Sequence, residues 1–195
     1  VSEKVNMSPY LVLVLSLLKL VSGLTDSEKA CVTENAEVLD NDFMVGTWYE
    51  VYRFAMWLNL PPSMSCVDIK ITKATSHDVE RYKAAHGDVE PFKFDTTAVL
   101  FDRYNGHFTG MLTGSSQTKF FAWDPKSVFF GTQKYEARVY KKVNDEYMLF
   151  HTCAIPSMKT LLSKRRDQTE EELQRVIATI EDVKRLETQR FCSPT

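Results

Sequence analysis

The segment DFMVGTWYEVYRF, residues 42–54, is the most informative part of this sequence about the fold. Gly46 and Trp48 stand at its centre, at the entrance to a run rich in aromatic and β-branched residues. Successive side chains of a strand point to opposite faces, so an inward Trp48 predicts that Glu50, Tyr52 and Phe54 also point inward. The stretch therefore predicts the first strand of a sheet with a buried inner face.

Short apolar runs separated by turn residues continue through residues 47–163. The clearest pair lies in residues 98–112, where Asn105-Gly106 supplies the turn of a hairpin. A turn at residues 85–88 is predicted to close an extended run over residues 79–84. About eight antiparallel strands at near-regular spacing predict a sandwich or an up-and-down barrel.

The periodicity becomes helical after Lys164. Thr169 and Glu172 form a capping-box pattern at the start of this segment. The apolar residues that follow recur at steps of three and four, namely Leu173, Val176, Ile177, Ile180 and Val183. We predict one amphipathic α-helix packed against the outside of the sheet.

Composition excludes several classes of protein. The chain has 195 residues, of which 44% are hydrophobic, and 24 basic against 26 acidic residues give a net charge of −2. This length favours a single domain, and the composition excludes collagen-like and low-complexity chains. The balanced charge lacks the basic footprint of a nucleic-acid binder.

An apolar run over residues 10–21 ends at the small residues Ser22 and Gly23. It is too short to span a bilayer and is typical of a secretory signal peptide over residues 1–23. Residues 1–6, which precede Met7, are interpreted as upstream read-through. Residues 24–195 are expected to form one domain that is secreted, extracellular and without stable membrane insertion.

Four cysteines follow the predicted leader: Cys31, Cys66, Cys153 and Cys192. An even number in an exported domain predicts two disulfides, for which three pairings are open. The sequence has neither a CxxC motif nor a histidine at zinc-ligand spacing from a cysteine, so we predict no metal site.

The order of these features resembles that of the lipocalins. Gly46-Thr47-Trp48 matches the family's Gly-x-Trp signature, and the late segment ending in Cys153 is similar to its penultimate barrel strand. The resemblance covers residues 31–192. It is closest to the two-disulfide arthropod and apolipoprotein-D-like branch, including insecticyanins and bilin-binding proteins, with triabins and nitrophorins as near alternatives. It implies an all-β, eight-stranded up-and-down barrel with one C-terminal α-helix packed outside.

The resemblance also implies specific residue roles. It pairs Cys31 with Cys153 and Cys66 with Cys192, and strand alternation agrees by pointing Cys153 outward. A cation after the last barrel strand is expected to cover Trp48. Lys164 and Arg165 both suit that role, and we assign it to Arg165.

In such a barrel the segment around Gly46 closes the bottom, and the apolar loop at residues 57–64 lies at the mouth as a lid or folds back onto the barrel. An interior of this kind holds one small ligand. The predicted ligand-binding residues are Glu50, Tyr52, Phe54, Trp57, Val139, Met148, Phe150, Thr152, Met158 and Leu162, with Thr160 beside them.

The first functional hypothesis is a secreted carrier of a small hydrophobic molecule such as a bilin, a sterol, a fatty acid or a semiochemical. The alternative is a secreted, triabin-like interaction or inhibitor protein that binds a protein partner through its outer surface or mouth loops. Motifs of hydrolases, zinc proteases and phosphate-binding loops are missing from the sequence, so no enzymatic activity is predicted. No cofactor is predicted, because the four histidines align with no haem site.

Overall fold

A computed structural model describes residues 24–56, 66–87, 93–104, 106–127 and 135–192. Eight antiparallel strands pair in chain order, and β1 pairs with both β2 and β8, so the sheet closes into a barrel. The strands are β1 Gly46–Ala55, β2 Asp68–Lys73, β3 Val99–Arg103, β4 Phe108–Thr113, β5 Thr118–Trp123, β6 Tyr135–Lys142, β7 Tyr147–Thr152 and β8 Lys159–Ser163. A further strand, β9 Glu187–Arg190, pairs with β1 outside the barrel. The predicted fold class is confirmed.

The described residues include four α-helices and one short 3₁₀ helix. The helices are α1 Asp26–Glu34, α2 Asn41–Met44, α3 Ser76–His86 and α4 Glu170–Ala178, and the 3₁₀ helix is Glu181–Val183. The α4 helix begins with the predicted Thr169–Glu172 capping box and buries Leu173 against the outer face of the barrel. The prediction of one helix packed outside after the barrel is confirmed, but its predicted extent is wrong. The helix ends at Ala178, so Ile180 and Val183 lie beyond it, at the start and the end of the 3₁₀ segment that precedes β9.

The extended run predicted at residues 79–84, with a turn at residues 85–88, is wrong. Residues 79–86 belong to α3, which begins with a capping box between Thr75 and Asp78. Residue 88 lies outside the described residues. Gly87, at φ +77°, ends the helix. Val79 and Tyr82 are buried against the outer face of β3–β5, so the three-residue step between them marks a helix rather than a strand.

Strand β1 contains an irregularity that changes which side chains face inward. Glu50 pairs with Leu162 on β8, but Tyr52 pairs with Leu161, so one residue of β1 is extra between them. A β-bulge of this kind reverses the alternation beyond it. Arg53 therefore faces the interior, while Tyr52 and Phe54 lie in the outer apolar cluster beneath α4.

Candidate functional site

Trp48 forms the floor of the barrel. Its side chain is fully buried, and its Nε1 donates a hydrogen bond to the carbonyl of Met44 at 2.7 Å. Phe43 meets the indole edge-on, with ring centroids 5.5 Å apart. These contacts fix the short α2 helix across the closed end of the barrel.

The cation over Trp48 is Lys164, whose Nζ lies 5.1 Å from the indole centroid. The assignment to Arg165 is wrong, because that side chain turns outward and pairs with Asp167 at 3.1 Å. The compact ammonium of Lys164 also lies over Phe43, at 5.1 Å. One cation therefore contacts two rings of the floor.

Both predicted disulfides are present. Cys31 is joined to Cys153, which attaches α1 to the end of β7, and Cys66 is joined to Cys192, which attaches the tail after β9 to the chain before β2. Cys153 lies outside the barrel, in the apolar cluster beneath α1, as strand alternation predicts. Each bridge fixes a segment outside the barrel to its wall.

The inner wall is aliphatic and aromatic. Met148 and Leu162 are fully buried in this cluster and Phe150 packs against it, so these three predicted residues face inward. The wall residues that the prediction did not include are Ile69, Ile71, Val99, Phe101, Leu112, Phe121, Trp123 and Tyr140. Gly110 lets the Phe121 ring approach the backbone, since a Cβ there would lie 2.1 Å from that ring.

Other predicted residues occupy different positions. Val139 is wrong as an inner residue, since it lies with Cys31 and Cys153 outside the barrel, while its neighbours Arg138 and Tyr140 face inward. Thr152 pairs with Arg138 near the mouth and is half-buried. Met158 is half-buried just before β8, and Trp57 lies outside the described residues. The inward orientation predicted for Tyr52 and Phe54 is wrong because of the bulge in β1.

A buried ionic cluster lies above the apolar floor. Glu50, as predicted from alternation, points inward, and its Oε1 accepts a hydrogen bond from Nη2 of Arg103 at 2.6 Å. Its Oε2 lies 3.4 Å from Nη2 of Arg53. Burial raises the pKa of Glu50 above its usual value, and the charges of Arg103 and Arg53 offset this effect only in part.

A third guanidinium lies among the aromatic rings. The Cζ of Arg138 is 3.4 Å from the centroid of Phe121 and 5.0 Å from that of Phe101. Its Nε donates to Glu136, two residues earlier on β6. Tyr140, two residues later, is fully buried, and burial raises its pKa to about 12. Alternate residues of β6 therefore place polar groups inside the barrel.

Sequence reasoning missed Arg53, Arg103 and Arg138. Arg138 alternates with the apolar residues Ala137 and Val139, a pattern that favours the opposite orientation of the strand. The one signal in the sequence is that the facing strands are rich in aromatic residues, whose rings can contact a guanidinium. The inward direction of Arg53 depends on the bulge.

Lys119 is a further buried cation, near the closed end. Its Nζ donates to the carbonyls of Leu39 at 2.8 Å and Gly114 at 3.0 Å. Burial lowers its pKa to about 8. The side chain fixes the segment before α2 to the barrel.

These features agree with the family resemblance: a closed eight-stranded barrel, a Gly-x-Trp floor covered by a cation, an outer helix and two disulfides. The fold is the closed eight-stranded antiparallel barrel that the resemblance implies. Among solved structures, the chain is similar to lobster apocrustacyanin A1, with a TM-score of 0.46 and 10% identity over 88% of each chain. It is also similar to apocrustacyanin C1, with a TM-score of 0.41 and 11% identity over 81% of this chain and 88% of that one. No protein-family model and no curated protein matches the sequence.

The barrel also carries a groove on its outer surface, between α1 and the ends of β6, β7 and β8. Its volume is about 510 Å³, and its lining includes His151, Lys141, Lys159 and Asp182. Asp182 accepts a hydrogen bond from Lys141 at 2.8 Å and lies 3.6 Å from Lys159.

In the described part of the chain, no helix is both long and apolar enough to cross a membrane.

Burial of His151 makes the stability of the barrel sensitive to acid. Burial lowers its pKa from 6.5 to about 4. Between pH 6.5 and pH 4, His151 therefore binds a proton in the unfolded chain but not in the folded one. Its contribution to the free energy of unfolding is fully present above pH 6.5 and is lost as the pH falls towards 4.

We expect His151→Gln to reduce the loss of unfolding free energy between pH 7 and pH 4.5 by about 2 kcal/mol. Urea unfolding at the two pH values measures this difference. His107→Gln, at an exposed position in the β3–β4 turn, is the matched control. If the unfolding free energy of His151→Gln depends on pH as in the unmodified protein, His151 binds its proton equally well in the folded and unfolded states, and the prediction is wrong.

Proposed function

We propose that this protein is an extracellular lipocalin that binds and carries a small hydrophobic molecule inside its barrel. The observation that carries the proposal is the inner wall, where aromatic and aliphatic side chains surround the buried polar groups of Glu50, Arg53, Arg103 and Arg138. Small-ligand sites combine an apolar lining with a few convergent polar groups. Bilins, sterols, fatty acids and semiochemicals are the ligand classes that we consider.

Secretion is part of the proposal. Two disulfides support it, because such bonds persist in oxidising compartments. The predicted signal peptide at residues 1–23 lies outside the described residues. Transport from one tissue to another would follow from binding a ligand in an exported barrel.

Binding is favoured over catalysis by the state of the reactive side chains. Both oxygens of the interior carboxylate of Glu50 contact guanidinium groups, so neither is free to accept a proton from a substrate. All four cysteines are in disulfides and cannot act as nucleophiles.

A native mass spectrum and an absorption spectrum of protein isolated from its own tissue test the carrier function. We expect one small molecule per chain, and its mass and absorption bands would give the ligand class. A ligand-free mass, with two disulfides intact, would contradict the carrier function.

Binding of a protein partner is the second candidate function. The outer groove favours it, because it offers charged groups and a concave surface outside the barrel. The predicted mouth loop at residues 57–64 lies entirely outside the described residues. A ligand-free mass together with co-purification of one protein at fixed stoichiometry would support this function instead.

A further inference from the structure

The buried charges inside the barrel do not balance. The described residues place three guanidinium groups there, those of Arg53, Arg103 and Arg138, against the two carboxylates of Glu50 and Glu136. The side chains of Arg53, Arg138 and Glu50 are about nine-tenths buried or more. Buried charges are costly unless they are paired, so one positive charge in this interior calls for an anionic partner.

Hydrogen-bond donors in the same region are also unused. Among the described residues, no acceptor meets Nε of Arg53, Nε of Arg103 or the hydroxyl of Tyr140, and each of these atoms is buried. Leaving a buried donor without an acceptor costs about 1–3 kcal/mol. Three such donors in one interior are more than a satisfied core contains.

The three donors belong to one region of the barrel. Arg53 and Arg103 both meet Glu50, from β1 and β3 respectively. Tyr140 lies two residues after Arg138 on β6, so the two side chains share one face of the strand. The Arg138 guanidinium lies 5.0 Å from the centroid of Phe101, which precedes Arg103 by two residues on β3. We call Arg53, Arg103, Arg138 and Tyr140, with Glu50, the interior arginine cluster.

We propose that the interior arginine cluster binds the carboxylate of an amphipathic organic acid, whose apolar part lies against the inner wall. This inference rests on the proposed carrier function and names its ligand class. A carboxylate supplies two acceptor oxygens with about four acceptor sites, which suits two guanidinium Nε–H groups and a hydroxyl. Its single negative charge equals the excess of the three guanidinium groups over the carboxylates of Glu50 and Glu136, whereas a phosphate monoester would exceed it.

The aromatic rings favour an acid with an apolar chain or ring system. Phe121, Phe101 and Trp123 surround the Arg138 guanidinium, at 3.4, 5.0 and 5.9 Å from their centroids. An apolar group placed beside a bound carboxylate would contact these rings and Phe150. A small hydrophilic acid would gain little from that wall.

Two fluorescent probes of equal length test the inference on the intact, oxidised protein: cis-parinaric acid and its methyl ester. The ester retains the apolar chain and removes the negative charge. We expect the acid to bind at least about tenfold more tightly, since hydrogen bonds to charged groups are among the strong ones. Equal affinities, or binding of neither probe, would overturn the carboxylate site, whereas the native mass spectrum of protein from its own tissue decides the carrier function separately.

Variants of the interior arginine cluster are expected to change the affinity for the acid probe in opposite directions. Arg103→Gln and Tyr140→Phe are each expected to weaken binding of the acid about tenfold and to leave ester binding unchanged. Glu50→Gln removes the competing carboxylate and is expected to tighten acid binding. A purely structural role for the cluster would weaken both probes in all three variants, and that result would overturn the inference.

Arg185→Gln, at an exposed position after the 3₁₀ helix, is the matched control for loss of a positive charge. It should change neither affinity. If Arg103→Gln fails to fold, the comparison of acid with ester in the unmodified protein decides the question alone.

Discussion

Replacing Trp48 with Ala is expected to lower the free energy of unfolding by about 3–5 kcal/mol, as for large aromatic residues in tightly packed cores. The indole is fully buried and fills the closed end of the barrel, where the surrounding strands cannot move in to fill the space. The variant also leaves the carbonyl of Met44 without its donor and Lys164 without the indole face. Urea unfolding followed by circular dichroism measures the change.

Two variants separate the contributions at this position. Trp48→Phe retains much of the apolar surface but loses the hydrogen bond to Met44, so we expect a smaller loss, of about 1–2 kcal/mol. Val38→Ala, at a position that is 84% exposed, should change stability by less than about 0.5 kcal/mol. A change near zero in Trp48→Ala would mean that the floor of the barrel is not formed by this residue.

The floor is also the part of the fold that the sequence predicts best. Gly46 adopts φ +139°, a conformation that residues with a Cβ rarely adopt, so the glycine of the Gly-x-Trp pattern has a backbone reason. Trp48, two residues later, is large enough to close the barrel. The closed end therefore depends on local constraints that a short stretch of sequence contains.

The interior is predicted less well, because alternation accumulates errors along a strand. One extra residue in β1 sends Tyr52 and Phe54 outward, and apolar side chains suit either face of this strand, since α4 covers its outer side. The same ambiguity applies to β6, where the outer residue Val139 is covered by α1. Hydrophobicity cannot distinguish the two faces of a strand that is buried on both.

The interior arginine cluster was missed for a related reason. A buried arginine contradicts the usual pattern of a core, and only its partners on other strands explain it. Glu50 is the one member that alternation identified, and its contacts with Arg53 and Arg103 require the closed barrel. Long-range pairing of this kind cannot be read from local periodicity.

Removing the Cys66–Cys192 disulfide, by replacing both residues with Ala, is expected to cost about 4–5 kcal/mol of unfolding free energy. The bridge joins residues 126 positions apart, and the chain-entropy model assigns about this value to loops of such length. The two bridges overlap along the chain. In the unfolded chain, the Cys31–Cys153 bridge gives a shorter covalent path between Cys66 and Cys192 than the direct path along the chain. The smaller loop costs less entropy to close, so we expect a loss at the lower end of this range.

The two disulfides differ in what they hold in the folded state. Without the Cys66 bridge, β9 keeps its pairing with β1 and the contacts of Arg190 with Glu170 and Gln168, but it loses its covalent attachment, so its amides should exchange with solvent faster. The matched variant replaces Cys31 and Cys153 with Ala, separated by 122 positions, and should lose similar stability while β9 remains protected. Hydrogen exchange of both variants measures this difference. Equal protection of β9 in the two variants would show that the strand is held by its pairing with β1 rather than by the disulfide.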